Sequence, residues 1–503
     1  MPKDKPKGMF KMKKILALLL SAVMVFSLCS PVLAAEETTP DYDGNPVVIV
    51  RGIDFGSLVN LDDGTKAMQI GVGDILDLVV EVLLSKFLYE KESLEDILVT
   101  PAMDLVWDIM GPIASNPDGS SMDPNVGMKQ YYGSIDEFPE ELTDDYLSIS
   151  GEGNLALTMR DRVGAENVFY FTYDWRKSPE KIAAELDAFI EMAKEQTGKD
   201  KVRVAALSMG GMVITSYMYY YGNDALESVA YLSAAHNGTY VCGDALNGRI
   251  VFEPDTLEKA LLNLIDDGTL DFITWLVLKI ARLSGVTDIL CDFVNDFVTN
   301  SASQVYTGGL RDILGTALGM WALCPDDDFA SGRDYIFKGE EEKYASVLEQ
   351  LDGVEAFVKS THSTIEKAYA DGVKVIFTSN YNQPLIPIYP RAVLNSDSTL
   401  ESDLTSNFAT IANFGETLSD EYIATRAPEF ISADKVIDAS TCLYPDYTWF
   451  IKDADHVAFK YGTEFSAFAA DLILSENQPT VGNMTDYQRF MYTDEVYNLY
   501  PLV

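Results

Sequence analysis

The sequence predicts an α/β fold in which a mostly parallel central sheet carries helices on both faces and holds a largely helical cap insertion. Three observations lead there. Short, wholly apolar runs alternate with helix-patterned segments. One such run passes directly into a helix through Ser208-Met209-Gly210-Gly211, and the alternation breaks off for more than a hundred residues before it resumes.

The chain has 503 residues, of which 47% are hydrophobic, enough for a large core. Its 78 Asp and Glu outweigh 37 Lys and Arg, for a formal net charge of -41. Such a field repels phosphate backbones and anionic headgroups, which argues against nucleic-acid partners and polybasic membrane anchoring. Histidine is scarce. A catalytic imidazole must be drawn from His236, His362 and His456.

Residues 1–34 read as a signal peptide. Six lysines precede the apolar run from Ile15 to Phe26, and Pro31-Val32-Leu33-Ala34-Ala35 offers small side chains for cleavage near Ala34. Leu28 ahead of Cys29 does not suit lipidation. The mature chain is therefore expected to be secreted, and it loses six Lys and one Asp, which makes it more acidic still. No mature stretch reaches 18 consecutive apolar residues, so no transmembrane segment is expected there. Cys242, Cys291, Cys324 and Cys442 remain. In an oxidising compartment they allow about three pairings, or stay as buried free thiols.

The α/β core is expected in two parts, residues 35–236 and 373–503, around a cap at 237–372. Val47-Val48-Ile49-Val50 reads as the first strand, buried on both faces. Residues 67–108 carry helical periodicity, and 115–145 is a long loop rich in Gly, Pro, Asn and Asp. Residues 168–173 form a strand, 179–196 a helix and 202–207 a second strand, a β-α-β unit whose strands are expected to be parallel and neighbouring. Further strands are expected at 228–232, 373–378 and 448–451. Within the cap, Phe272 to Ile280 is apolar nearly all round, which suits a buried helix or a lid that meets lipid.

The strand at 202–207 ends on Ser208, and a helix opens at once. A serine on so sharp a turn needs tiny neighbours two positions before and after it; Ala206 and Gly210 supply them. Ser208 is thus the candidate nucleophile. A serine hydroxyl needs a base. His456, in Asp453-Ala454-Asp455-His456 after the last predicted strand, stands where a chain order of Ser, acid, His places it. His362 precedes a helix and suits a capping or solvated role, while His236 lies at a strand end and suits the pocket wall. The acid should lie between nucleophile and base. Asp397, among Asn395-Ser396 and Ser398-Thr399, is the choice, with Glu401 and Asp403 as rivals.

Oxyanion stabilisation needs two backbone donors. The Met209 amide is one, and the loop Arg51-Gly52-Ile53-Asp54-Phe55-Gly56 supplies the other, from Ile53 or else Asp54. Asp54, Phe55, Trp175 and His236 follow strand ends and are the expected substrate-binding residues. Asp174 and Arg176 suit either a structural pair beneath the pocket or a direct substrate contact.

These motifs carry a resemblance. Residues 47–56, Tyr173-Asp174-Trp175-Arg176, residues 206–211, the Ser396-Asp397-Ser398-Thr399 loop and the Asp455-His456 loop together resemble the lecithin:cholesterol acyltransferase-like branch of the α/β-hydrolases and related bacterial extracellular lipases. Tyr-Asp-Trp-Arg one helix ahead of the elbow is the discriminating part. The chain departs from that pattern at Ala206-Leu207, at Arg51 and at Ser396-Asp397-Ser398, where Gly-Asp-Gly is usual. The resemblance implies an α/β-hydrolase fold and a serine carboxylic-ester hydrolase or O-acyltransferase acting on lipid esters, with a transient lipid interface. An esterase for non-lipid acyl substrates and a non-catalytic binding protein on the same scaffold are the alternatives. No cofactor is expected, and no spacing supports a metal site.

Overall fold

Four strands are apolar along nearly their whole length because both of their faces are covered. In chain order the described elements of the sheet and its layers are β1 (Val47–Val50), α1 (Gly153–Val163), β2 (Val168–Phe171), α2 (Pro179–Thr197), β3 (Val202–Ser208), α3 (Gly210–Tyr221), β4 (Leu226–Ala234) and α4 (Tyr240–Leu246). They continue with α5 (Asp326–Phe337), α6 (Ala345–Lys359), α7 (Thr361–Ala370), β5 (Lys374–Tyr381), β6 (Thr448–Lys452), α8 (Thr463–Leu474), β7 (Phe490–Thr493) and β8 (Leu499–Pro501). The computed structural model describes residues 42–53, 58–67, 107, 110–143, 152–251, 253–254, 306–385 and 389–503, with isolated positions between 282 and 295. Residues 1–34, where a leader is expected, Asp54, Phe55, most of the 67–108 segment and the run from Phe272 to Ile280 lie outside them.

The strands form one eight-stranded sheet in the order β8-β7-β6-β5-β4-β3-β1-β2. All pairings are parallel except the edge pair β7–β8. With its two helical layers this is an α/β-hydrolase-like fold. Alternate residues of each strand serve opposite faces. Val48, Val50, Val204, Ala206, Val229 and Tyr231 enter the core beneath α2, α3 and α7, whereas Val47, Ile49, Ala205, Leu207, Ala230 and Leu232 enter the core beneath α1 and α8.

One expectation is corrected. β2 and β3 are parallel but not neighbours, because β1 lies between them and pairs with both. A four-residue strand buried on every side must find hydrogen-bond partners along both edges, and the α2 crossover is long enough to span it. The helix itself follows the expected limits, with Ser178 capping Lys181 N–H and Gly198 closing it in the left-handed conformation.

Within the interval read as cap, α6 and α7 belong to the sheet's own helical layer. Val354, Phe357, Ile365 and Ala368 are buried in the same core as α3. α7 is the helix that leads directly into β5. The long 115–145 loop is mostly irregular where described, with Val126–Gly127 paired against Val59–Asn60. The four described cysteines, Cys242, Cys291, Cys324 and Cys442, are buried, unpaired thiols. Among the described residues no helix is long and apolar enough to cross a membrane.

Candidate active site

In a parallel sheet the strand C-termini share one edge, and the loops there form the ligand side. Val50 is in register with both Phe171 and Ala206, so β1 and β2 end level and β3 runs two residues beyond them to Ser208. Ser208 closes β3 with φ 51°, a left-handed conformation that a side chain adopts only when its surroundings enforce it. Here the enforcement is close packing. A Cβ on Gly210 would lie 2.3 Å from the Val50 carbonyl oxygen and 2.9 Å from that of Arg51. Only glycine lets α3 begin this near β1. The Ser208 carbonyl in turn accepts the Ala235 amide at 2.7 Å.

The loop after β1 is packed as tightly. A Cβ on Gly52 would stand 2.8 Å from Ser208 Cβ and 3.3 Å from its Oγ. Tyr173 donates its hydroxyl proton to the Arg51 carbonyl at 3.0 Å and secures the same loop from below. Ile53 is half-buried against the core. Met209 is fully buried ahead of α3, at a helix N-terminus, where amides have no intrahelical acceptor. Asp54 and Phe55 lie outside the described residues.

Asp397 and His456 are brought together. Asp397 is 1% exposed, and its Oδ1 accepts the Thr399 and Leu400 amides at 2.9 and 2.7 Å. Its Oδ2 meets His456 Nδ1 at 2.7 Å. An ionised carboxylate only accepts, so the imidazole proton sits on Nδ1 and Nε2 is left bare to take another. Burial lowers the His456 pKa, but the Asp397 charge and hydrogen bond, with smaller contributions from Asp455 and Glu152, outweigh it, and the net shift is upward. The rivals point elsewhere. Glu401 accepts from Thr239 Oγ1 and the Tyr240 amide at 3.3 and 3.2 Å, and Asp403 from the Tyr240 hydroxyl at 3.4 Å. Burial, then the neighbouring Asp403 charge, pushes Glu401 up to about 7.

Two residues expected to bind substrate, Trp175 and His236, are buried. Trp175 is 1% exposed, roofed by Gly319, where a Cβ would come within 2.1 Å of the Trp175 carbonyl oxygen. His236 is buried beside Tyr231 and Phe377, with Nδ1 against the Ala234 carbonyl and Nε2 against Asn407 Oδ1. Burial pushes its pKa down to about 4 despite these bonds, so the ring is neutral at physiological pH. It borders a cavity of about 240 Å³ with Tyr240, His362, Leu404 and Phe408; Ser208, Asp397 and His456 are not in its lining. His362 stands in the first turn of α7, with its ring against Phe408.

Asp174 and Arg176 form the structural pair. The guanidinium binds Asp174 at 2.6 Å and also donates to the Ile113 and Val126 carbonyls and to Ser121 Oγ, which ties the 110–127 loop beneath the sheet edge. Sequence reasoning passed over Glu152, a buried carboxylate that accepts the Gly52 amide at 2.8 Å and the Tyr170 hydroxyl at 3.0 Å. No sequence motif marks it; it comes to Ser208 only through the pairing of β1 with β2.

No family model matches the chain, and no curated protein matches it. Among solved structures, one that it is similar to is a Tle4–Tli4 complex, at 12% identity over 67% of this chain and 75% of that one, with a TM-score of 0.31.

Proposed function

We propose that the chain is a secreted serine hydrolase of carboxylic esters, with lipid esters as its substrates, working through an acyl-enzyme on Ser208. Two observations support this reading: a serine held at φ 51° at the C-terminal end of β3, and an Asp397–His456 pair 2.7 Å apart on loops that follow β5 and β6 of the same parallel sheet. Asp397 orients the imidazole, and His456 Nε2 takes the Ser208 proton as Oγ bonds to the acyl carbon. The amides of Met209 and Ile53 receive the developing oxyanion. His456 then protonates the departing alcohol, and water, or an acceptor alcohol in acyl transfer, releases the acyl group by the reverse sequence.

Export is supported by the leader at residues 1–34 and the lipid substrate by the motif resemblance to the lecithin:cholesterol acyltransferase-like branch. In so acidic a body, contact with a lipid surface rests on apolar residues such as Phe272 to Ile280. The test joins two measurements. A fluorophosphonate probe should label Ser208, and mass spectrometry of products from mixed glycerolipids, with and without a sterol acceptor, should reveal released or transferred acyl chains. Preference for short soluble esters without gain at an interface moves the substrate to non-lipid acyl esters. No labelling of folded protein defeats the enzymatic reading.

A further inference from the structure

Glu152 stands immediately ahead of α1, 4% exposed, where a helix N-terminus favours negative charge. Both of its oxygens are engaged, by the Gly52 amide and the Tyr170 hydroxyl. Gly52 is the residue pressed against Ser208. The Cβ position at Gly52 that lies 3.3 Å from Ser208 Oγ lies 3.6 Å from Glu152 Oε1, so carboxylate, glycine and serine form one cluster. Since the Gly52 N–H is consumed by Glu152, the next amide in the loop, that of Ile53, is the one left to meet an oxyanion.

We propose that Glu152 is a positioning residue for the reaction assigned to Ser208: its carboxylate locks Gly52 so that the Ile53 amide is presented, and it brings a second buried carboxylate, beyond Asp397, into the cluster around Ser208. The inference rests on the serine-hydrolase reading. A buried charge is costly unless hydrogen-bonded, and a loop could be anchored by a neutral acceptor. What a carboxylate adds is its field. The charged groups that bear on His456 are Asp397 and Asp455, which flank it, and Glu152 from across the sheet edge; each favours the imidazolium that forms as Ser208 loses its proton.

Two variants separate the roles. Glu152→Gln keeps an acceptor for Gly52 N–H and removes the charge; Glu152→Ala removes both. The readout is the rate of fluorophosphonate labelling at Ser208 across pH 4.5–9, with kcat and KM on a soluble ester. For E152Q the acid limb should move to lower pH, because the imidazolium loses a favourable neighbour. For E152A kcat should fall by about 100-fold at every pH, with KM within about twofold, the loss expected when an oxyanion donor is displaced. An E152Q limb superimposable on that of the parent protein overturns the proposal, and so does an E152A rate equal to the parent's. If E152A does not fold, the E152Q limb alone decides. Failure of the parent protein to label at Ser208 would count against the hydrolase reading, and is a distinct result from labelling that ignores Glu152.

Discussion

Replacing Asp397 by Asn changes one atom, and the surrounding geometry dictates what that atom does. Oδ1 of Asp397 accepts two backbone amides, from Thr399 and Leu400, while Oδ2 accepts His456 Nδ1–H. An asparagine must divide one acceptor and one donor between these two sides. Turning its NH2 toward Thr399 and Leu400 would leave two buried amides without an acceptor, at about 1–3 kcal/mol each. The carboxamide oxygen therefore stays with the backbone, favoured by about 2–6 kcal/mol, and the NH2 faces His456. The imidazole must then offer a bare Nδ1 and carry its proton on Nε2, the nitrogen needed as base. At about 1.4 kcal/mol per factor of ten, kcat should fall by about 30-fold to about 10⁴-fold from the tautomer alone. Loss of the carboxylate charge adds to this. The assay is turnover of a soluble ester together with the rate of Ser208 labelling, with thermal melting to show that the fold persists. An Asp397→Asn variant within tenfold of the parent, equally stable, would falsify the assignment. Asp403→Asn is the control, since Asp403 faces Tyr240 rather than His456, and should cost little activity.

Three further outcomes follow from the same structure. The general base must be neutral to act, and the His456 pKa is raised by Asp397 against its burial, so the acid limb of kcat/KM should lie above the ordinary histidine value of about 6.5; a limb well below that value contradicts the pairing. Glu401 is pushed up to about 7 from an ordinary 4.5, so the folded state holds a proton that the unfolded chain releases. Stability from that group is full below pH 4.5 and declines by about 3 kcal/mol as pH rises through 7, and urea unfolding of Glu401→Gln against the parent should show the gap widening over that window. A Gly210→Ala Cβ would lie 2.3 Å from a backbone oxygen with no flexible side chain to give way, so the variant should lose about 3 kcal/mol or more of stability, and an unchanged denaturant midpoint would refute the packing argument.

The sharp turn at Ser208 and the pairing of Asp397 with His456 were both legible in the sequence, for different reasons. The elbow around Ser208 is a local matter, since a strand that turns at once into a helix needs Ala206 and Gly210 beside it whatever the rest of the chain does. The apolar runs of β1, β3, β4 and β5 were equally readable, because burial on both faces leaves no polar alternation. Asp397, Glu401 and Asp403 stand within seven residues and each suits a loop, so local pattern does not separate them. Their separation comes from tertiary contacts: Asp397 turns to His456, the other two to Tyr240.

Short-range constraints account for the strand runs, the helix from Pro179, the serine turn and the chain order of Ser208, Asp397 and His456. The tertiary structure alone decided what depends on residues far apart in the chain. It inserted β1 between β2 and β3, because a strand buried on both faces needs partners along both edges. It buried Trp175 beneath Gly319 and packed His236 against Tyr231 and Phe377. It also brought Glu152 to Gly52 across 100 residues of sequence. No local pattern encodes that contact, since a carboxylate becomes significant only when packing strips away the water that would otherwise satisfy it.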